Sequence, residues 1–178
     1  MHNPAIKRLT VTAMLTALAV VLTLFNFSLL PQVPFLKYDA GDILILILTF
    51  IFGPVYSIIS TVIVAAFQAM FLSADGWFGG LMHIISTTAL ILPAGFIYKY
   101  KKTRKSAAVG LSVSCVTVTV AMLCFNFLLS PVFYGMPREA VVGMLPWIGL
   151  FNFLKSLINS VVTMLVYKHI GNIIKKFD

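Results

Sequence analysis

A lysine and two asparagines lie within the last apolar segment of the chain, which runs from about residue 147 to 168: Asn152, Lys155 and Asn159. A charged side chain at the centre of a membrane helix is unfavourable by about 2.5–3.5 kcal/mol, so it faces the bundle interior, where a partner or ligand can meet it. Since an α-helix turns through about 100° per residue, spacings of three and seven place all three side chains on one face. We interpret this face as one wall of a binding site.

A further amide, Asn126, lies near the end of the preceding apolar segment. In hydrocarbon such an amide must find hydrogen-bonding partners, either on another helix or on a ligand. Because Asn126, Asn152 and Lys155 all lie toward the same predicted membrane surface, we predict that they share one pocket. Tyr38 and Asp39 are secondary candidates for the mouth of that pocket.

The remaining polar residues of the apolar segments are interpreted as structural. Asn159 lies one turn further in than Lys155, and Gln68 and His83 each stand alone on an apolar span. Bridging two helices is a commoner role for such residues than binding a ligand. His83 has no second histidine within one turn and no cysteine pair nearby, so we predict no metal site. Asp39 and Asp42 flank the start of the second apolar segment, in positions typical of helix N-caps.

Several kinds of chemistry are excluded by what the sequence lacks. It contains no G-x-x-x-x-G-K-[ST] loop for hydrolysing ATP. Inside the spans we find neither a Ser–His–Asp arrangement nor paired carboxylates, which argues against an intramembrane enzyme. We also identify no buried carboxylate for ion coupling and no proton relay. The sequence therefore predicts a binding protein without a cofactor, a metal or an energy source of its own.

Composition predicts an all-α integral membrane protein. Of the 178 residues, 60% are hydrophobic and 10% are charged, which is too apolar for a soluble domain of this size. Segments long enough for membrane helices give one membrane-embedded domain, residues 1–178, with six spans near 9–30, 41–53, 55–72, 80–98, 107–129 and 147–168. We interpret Gly53-Pro54 as a tight turn between two spans rather than a kink in one helix.

The positions of the charges predict the topology. Lysine and arginine outnumber acidic residues by 13 to 5 and cluster at Lys7 and Arg8, within 99–105, and at Lys168, Lys175 and Lys176. This distribution follows the positive-inside rule and places both termini in the cytoplasm, so the basic balance does not indicate nucleic acid. Three longer connections, near 30–42, 73–79 and 130–146, then face outside. Their aromatic residues are typical of a membrane interface and of loops that cap a site.

Two smaller patterns concern packing. Ala13 and Ala17 place small residues on one face of the first span, where another helix in the membrane can approach closely. Cys115 and Cys124 are nine residues apart, hence on roughly opposite faces of one helix, and behave as small apolar residues rather than as a disulfide.

Taken together, these residues resemble the substrate-binding S components of energy-coupling factor (ECF) vitamin transporters, and among them the riboflavin-binding type. The resemblance extends over nearly the whole chain. It is carried by Ala13-xxx-Ala17 and by the stretches LKYDAGDILILILTFIFGP, SPVFYGMPREAV and FNFLKSLINS. Leu150 stands before Phe151, where the family commonly has proline.

The resemblance implies a subunit of a bacterial plasma membrane that captures riboflavin at the outer face. It also implies docking, through Ala13 and Ala17, onto a membrane coupling subunit and two ATPase subunits that drive uptake. Asn126, Asn152 and Lys155 match positions that hydrogen-bond the flavin ring. A single buried lysine suits a phosphate dianion poorly, so we expect riboflavin rather than its phosphorylated form.

Two alternatives stay open at this point. In the first, the chain is an S component for another vitamin or heterocyclic precursor. In the second, it is a self-sufficient secondary transporter, which would require an ion-coupling site.

Overall fold

The computed structural model describes residues 4–72 and 75–174, with the backbone alone for residue 4 and residues 167–174. Lys168, Lys175 and Lys176 of the third basic cluster lie outside the described side chains, as do Ser73 and Ala74 of the second outer connection. The described elements are α1 (Pro4–Thr23), β1 (Phe27–Ser28), β2 (Lys37–Tyr38), α2 (Gly41–Phe52), α3 (Pro54–Phe71), α4 (Trp77–Tyr100), α5 (Arg104–Tyr134) and α6 (Arg138–Ile174).

The predicted all-α membrane fold of six helices is confirmed in this part of the chain. Five of the helices, α1 and α3 to α6, are long and apolar enough to cross a membrane. The sixth, α2, has 12 residues and a length of about 18 Å, which is less than the hydrocarbon thickness of about 30 Å. It is nonetheless the most buried helix, because it contacts α1, α3, α4 and α6.

The chain reverses between α2 and α3, as the Gly53-Pro54 pair predicts. Gly53 has φ +91°, a conformation that favours glycine, and Pro54 occupies the first turn of α3, where its missing N–H is harmless. Thr49 and Ser57, eight residues apart, are joined by a hydrogen bond of 2.8 Å between their hydroxyl oxygens. One continuous helix would separate them by about 12 Å, so the two helices fold back on each other.

The predicted first span, 9–30, is wrong at its end, because α1 stops at Thr23. The side chain of Asn26 donates to the carbonyl of Thr23 at 3.1 Å and satisfies one of the last carbonyls of the helix. The apolar residues that follow belong to a connection, 24–40, which contains the antiparallel hairpin of β1 and β2. Hydropathy alone does not distinguish such an apolar connection from the end of a membrane helix.

The predicted long outer connection 130–146 is also wrong. α5 continues through Pro131 to Tyr134 and α6 begins at Arg138, so only residues 135–137 connect them. Pro131 and Pro146 both lie inside helices, although each lacks a backbone N–H. Membrane helices tolerate such prolines when neighbouring groups satisfy the freed carbonyls. Gly135, at φ +63°, provides the left-handed turn.

Gly80 marks a close approach of α4 to α3. A Cβ atom at this position would lie 2.8 Å from the Cβ of Ala69 and 3.1 Å from the carbonyl oxygen of Ala65. We expect Gly80→Ala to lower the free energy of unfolding by about 1–3 kcal/mol, because the two backbones would have to separate. Gly143→Ala is the matched control, since nothing lies within 4 Å of its added Cβ. Thermal unfolding in detergent tests this, and equal melting temperatures for the two variants would contradict it.

Candidate binding site

A cavity of about 200 Å³ lies at one end of the bundle, beneath the connection 24–40. Its walls come from that connection, from the last turns of α1 and α3, from the start of α4 and from the facing stretches of α5 and α6. The cavity thus lies where α1, α3 and α5 end. The basic residues at the start of α1 and between α4 and α5 lie at the opposite end of these helices.

The pocket-forming residues predicted on the last two helices meet at this cavity. Asn126 on α5 and both Asn152 and Lys155 on α6 line its wall. The two asparagines are only 4% and 3% exposed. Their unused hydrogen-bonding groups can therefore meet a ligand only in the cavity. Helical periodicity predicted that Asn152 and Lys155 share one face of α6, and the structure places both in the lining of this cavity.

Both asparagines are oriented by their own helices. The Nδ2 group of Asn126 donates to the carbonyl of Met122, and that of Asn152 donates to the carbonyl of Ile148, each at 2.8 Å. The Oδ1 atom of Asn126 also accepts a hydrogen bond of 3.2 Å from the hydroxyl of Ser130. An amide nitrogen carries two N–H donors, so one donor on each asparagine is left after these bonds.

Lys155 is held between two carboxylates that the sequence did not lead us to place inside the bundle. Its Nζ atom lies 3.2 Å from Oδ2 of Asp39 and 3.1 Å from Oδ2 of Asp42. The side chains of Asp39 and Asp42 are 6% and 2% exposed. Two buried carboxylates are thus present, whereas the sequence led us to identify none for ion coupling. Both carboxylates pair with the lysine, which argues against their use as a free ion-coupling site.

The two carboxylates differ in their surroundings. Asp39 lines the cavity and accepts the backbone N–H of Gly41 at 3.0 Å. The N-cap interpretation of Asp39 is wrong, because the N-cap residue of α2 is Ala40 and no side chain caps this helix. Asp42 lies inside the first turn of α2 and away from the main cavity, and it accepts a hydrogen bond of 2.8 Å from the hydroxyl of Thr87. The N-cap interpretation of Asp42 is thus wrong, because its carboxylate faces α4 and α6.

Gln68 and His83 both contact these carboxylates, as expected of residues that bridge elements. Gln68 donates to Asp39 at 3.5 Å, and Nε2 of His83 lies 3.8 Å from Asp42. Both residues also line the cavity, which the sequence did not predict. No group of three metal-ligating side chains occurs within the described residues.

Tyr38 lies beside the cavity rather than in its wall. Its hydroxyl donates to Oδ1 of Asn159 at 3.0 Å, and its ring packs against Phe27 with centroids 5.4 Å apart. Burial raises the pKa of the Tyr38 phenol, so the hydroxyl stays protonated as the donor. A ligand contact by Tyr38 stays a prediction. Asn159, which is fully buried, makes the side-chain hydrogen bond that the sequence indicated, although to the hairpin rather than to a helix.

Aromatic rings also line the cavity. Phe35, Phe78 and Tyr134 all line it, and they come from the connection 24–40, from the start of α4 and from the end of α5. The ring of Phe78 stacks on Phe133 with centroids 4.1 Å apart and meets Tyr134 edge to face at 5.5 Å. These contacts hold flat apolar surfaces in the lining of the same cavity.

Ala13 and Ala17 are both exposed on α1, whereas Thr12, Thr16 and Ala19 are buried. The two alanines therefore face away from the bundle and leave a shallow surface there. On α5, Cys115 is buried and Cys124 is exposed, and neither forms a disulfide, as predicted.

Sequence reasoning missed Asp42 and the contributions of α4, although one signal was available. A lysine inside a membrane segment requires an acidic partner, and Asp39 and Asp42 are the acids that begin an apolar helix. By contrast, no pattern in the sequence identifies which residues of α4 line the cavity.

Comparisons with known proteins agree with this architecture. A family model described as "ECF transporter, substrate-specific component" matches residues 7–167. The chain is 30% identical to the riboflavin transporter RibU of Staphylococcus aureus (strain TCH60), covering 96% of this chain and 93% of that protein. It is 29% identical to the riboflavin transporter FmnP of Bacillus subtilis (strain 168), covering 91% and 90%.

The fold also matches a solved structure of the S component of a bacterial ECF transporter. The TM-score is 0.82 at 32% sequence identity, and the match covers 95% of this chain and 98% of that chain. The resemblance inferred from sequence motifs is therefore confirmed by the family model, by the similar sequences and by the matching structure. This chain belongs to the family of substrate-specific components of ECF transporters, which are multi-pass membrane proteins and not enzymes.

Proposed function

We propose that the chain captures riboflavin and delivers it for ATP-driven uptake through an ECF module. The observation that carries this proposal is the meeting of Asn126, Asn152 and Lys155 at one cavity that aromatic rings also line. The RibU and FmnP relatives are riboflavin transporters, which supports a flavin as the ligand.

The polar edge of a flavin suits the groups that these residues offer. The isoalloxazine ring carries two carbonyl oxygens and an imide N–H along one edge, and asparagine supplies both donors and an acceptor. Asn126 and Asn152 each retain one amide N–H for a flavin carbonyl. An ammonium group has three donors, and the two carboxylates near Lys155 use two of them. The third is left for a carbonyl or ring nitrogen of the ligand.

The apolar part of the ring has a matching surface in the aromatic wall. Phe35, Phe78 and Tyr134 present rings and edges that can cover the faces and the dimethylbenzene end of the flavin. An apolar pocket with few well-placed polar groups is the usual composition of a small-molecule site.

We propose that the cavity opens at the outer membrane surface and that both termini are cytoplasmic. Lys7 and Arg8 begin α1, and the basic stretch 99–105 joins α4 to α5, so both lie at the end away from the cavity. The positive-inside rule assigns that basic end to the cytoplasm of a bacterial cell.

The proposed partners are a membrane coupling subunit and two ATPase subunits. The chain has no phosphate loop with which to hydrolyse ATP, so its transport requires energy from elsewhere. Ala13 and Ala17 are exposed on α1, where their small size permits close approach by another membrane helix. We assign this surface to the coupling subunit.

Purification from cells supplied with riboflavin tests the ligand. We expect a yellow protein with flavin absorbance, and flavin released on denaturation. A colourless protein that carries another vitamin or heterocycle would support a different substrate within the same family.

Uptake into vesicles tests the source of energy. We expect riboflavin uptake only when the coupling subunit, the ATPases and ATP are supplied together. Uptake driven by an ion gradient in vesicles that contain this chain alone would contradict the proposal and support a secondary transporter.

Asn152→Ala is expected to weaken riboflavin binding by about 10- to 100-fold, since a buried hydrogen bond that loses one partner costs about 1–3 kcal/mol. Asn159→Ala is the matched control, because it removes the same amide from the same helix but outside the main cavity. We expect its affinity to change less than about threefold, which corresponds to less than 1 kcal/mol. Titrations of flavin fluorescence measure both, and a larger loss for Asn159→Ala would contradict the assignment.

A further inference from the structure

Three ionised side chains are buried together beside the cavity, and their charges do not cancel. Asp39, Asp42 and Lys155 have side chains that are 6%, 2% and 11% exposed. With His83 counted as neutral, two carboxylates and one ammonium group sum to one negative charge. The whole chain, by contrast, has a formal net charge of +8. The ligand cavity therefore adjoins a buried negative charge inside a basic protein.

Asp42 supplies the excess charge without reaching the cavity. Lys155 and Asp39 belong to the cavity wall, whereas Asp42 lies behind them, with its Oδ2 atom 3.1 Å from Nζ of Lys155. The hydroxyl of Thr87 holds its other oxygen at 2.8 Å. A lysine paired with Asp39 alone would leave this region neutral. The net charge that a ligand meets thus depends on a residue that the ligand does not touch.

We propose that Asp42 is a specificity-determining residue, which makes the site selective for an uncharged flavin over a phosphorylated one. This inference rests on the proposed function. A phosphate monoester carries a charge of about −1.5 to −2 at pH 7. Asp39 already balances the buried ammonium group of Lys155, so the charge of Asp42 adds a field that repels this phosphate. In the low dielectric of a protein interior such a field acts over several ångströms.

Asp42→Asn tests the proposal, because it removes the charge with little change of shape. Purified protein is titrated with riboflavin and with riboflavin 5′-phosphate, and the quenching of flavin fluorescence gives both dissociation constants. We expect the preference for riboflavin over the phosphate to fall by about tenfold in the variant. An unchanged preference would overturn the proposal.

Thr87→Val is the control for a merely structural effect. It removes the hydrogen bond to Asp42 but leaves the carboxylate charged. We expect the affinities for riboflavin and for riboflavin 5′-phosphate to change by the same factor, so that the ratio of the two dissociation constants stays the same. A shift in the ratio as large as that of Asp42→Asn would overturn the electrostatic explanation.

A ligand series on the unaltered protein keeps the test independent of how the variants fold. Riboflavin 5′-acetate adds bulk at the same position as the phosphate but adds no charge. We expect it to bind at least about tenfold more tightly than the 5′-phosphate. Equal weakening by both esters would overturn the proposal, because the discrimination would then be steric. Absence of riboflavin binding would instead refute the proposed function, and this inference with it.

Discussion

Replacing Lys155 by methionine is expected to weaken riboflavin binding at least about 100-fold. The variant loses a charge-assisted donor in the cavity wall, a hydrogen bond of the strong class. It also leaves the carboxylate of Asp39 in that wall without its cation, so the polar edge of the ligand would meet an unpaired negative charge. Titration of flavin fluorescence measures the loss.

The same variant is expected to be less stable. Removing one partner of a buried ion pair typically costs about 3–5 kcal/mol, because the remaining charge stays buried without compensation. Here two carboxylates, Asp39 and Asp42, share the one lysine. We expect the melting temperature in detergent to fall clearly below that of the unaltered protein.

A triple variant separates the two effects. Combining Lys155→Met with Asp39→Asn and Asp42→Asn removes all three charges, and replacing a buried ion pair by neutral groups is often close to neutral for stability. We therefore expect most of the melting temperature to return while riboflavin binding stays lost. High-affinity binding by the triple variant would show that Lys155 acts only by holding the fold.

Phenylalanine at Ala13 and Ala17 is expected to reduce riboflavin uptake at least about tenfold and to leave binding unchanged. Both alanines are exposed on α1 and lie outside the cavity wall, so larger side chains there disturb neither the core nor the ligand. They would hold the helix of a coupling subunit away from α1, since such contacts depend on small residues. Uptake by cells that express the complete transporter, together with titration of the purified subunit, measures both effects.

Val116→Phe is the matched control for the docking surface. Val116 is 60% exposed on α5, so this change also enlarges an exposed apolar side chain in a membrane helix. We expect normal uptake and normal binding. If Val116→Phe impaired uptake as much as the alanine variants, a large side chain on any exposed helix face would be harmful. That result would contradict a specific docking role for Ala13 and Ala17. Loss of binding in the alanine variants would mean that α1 packing requires those residues.

The sequence was sufficient to predict the membrane class, the helix order and one wall of the site. Runs of apolar residues identified the helices because hydrocarbon requires backbone hydrogen bonds to be satisfied within each segment. The face shared by Asn152 and Lys155 followed from helical periodicity, and the structure places both residues, together with Asn126, in the lining of one cavity. Gly53-Pro54 correctly indicated a chain reversal.

Features that depend on contacts between distant segments were harder to predict. The ends of α1 and α5 were misplaced because apolar connections and apolar helices have similar hydropathy, and because Pro131 is tolerated within a membrane helix. The pairing of Lys155 with Asp39 and Asp42 joins positions more than 110 residues apart. Local periodicity contains no information about such a contact, although the need to neutralise a buried lysine does.

Titration of the purified chain with riboflavin tests most directly whether the cavity beside α6 is a flavin site. We predict that the fluorescence of added riboflavin is quenched until one flavin is present per chain, and that Lys155→Met removes this quenching. Flavin fluorescence that stays unchanged in the presence of folded, unaltered protein would contradict the proposed function. Equal quenching by the Lys155→Met variant would mean that the flavin binds somewhere other than this cavity.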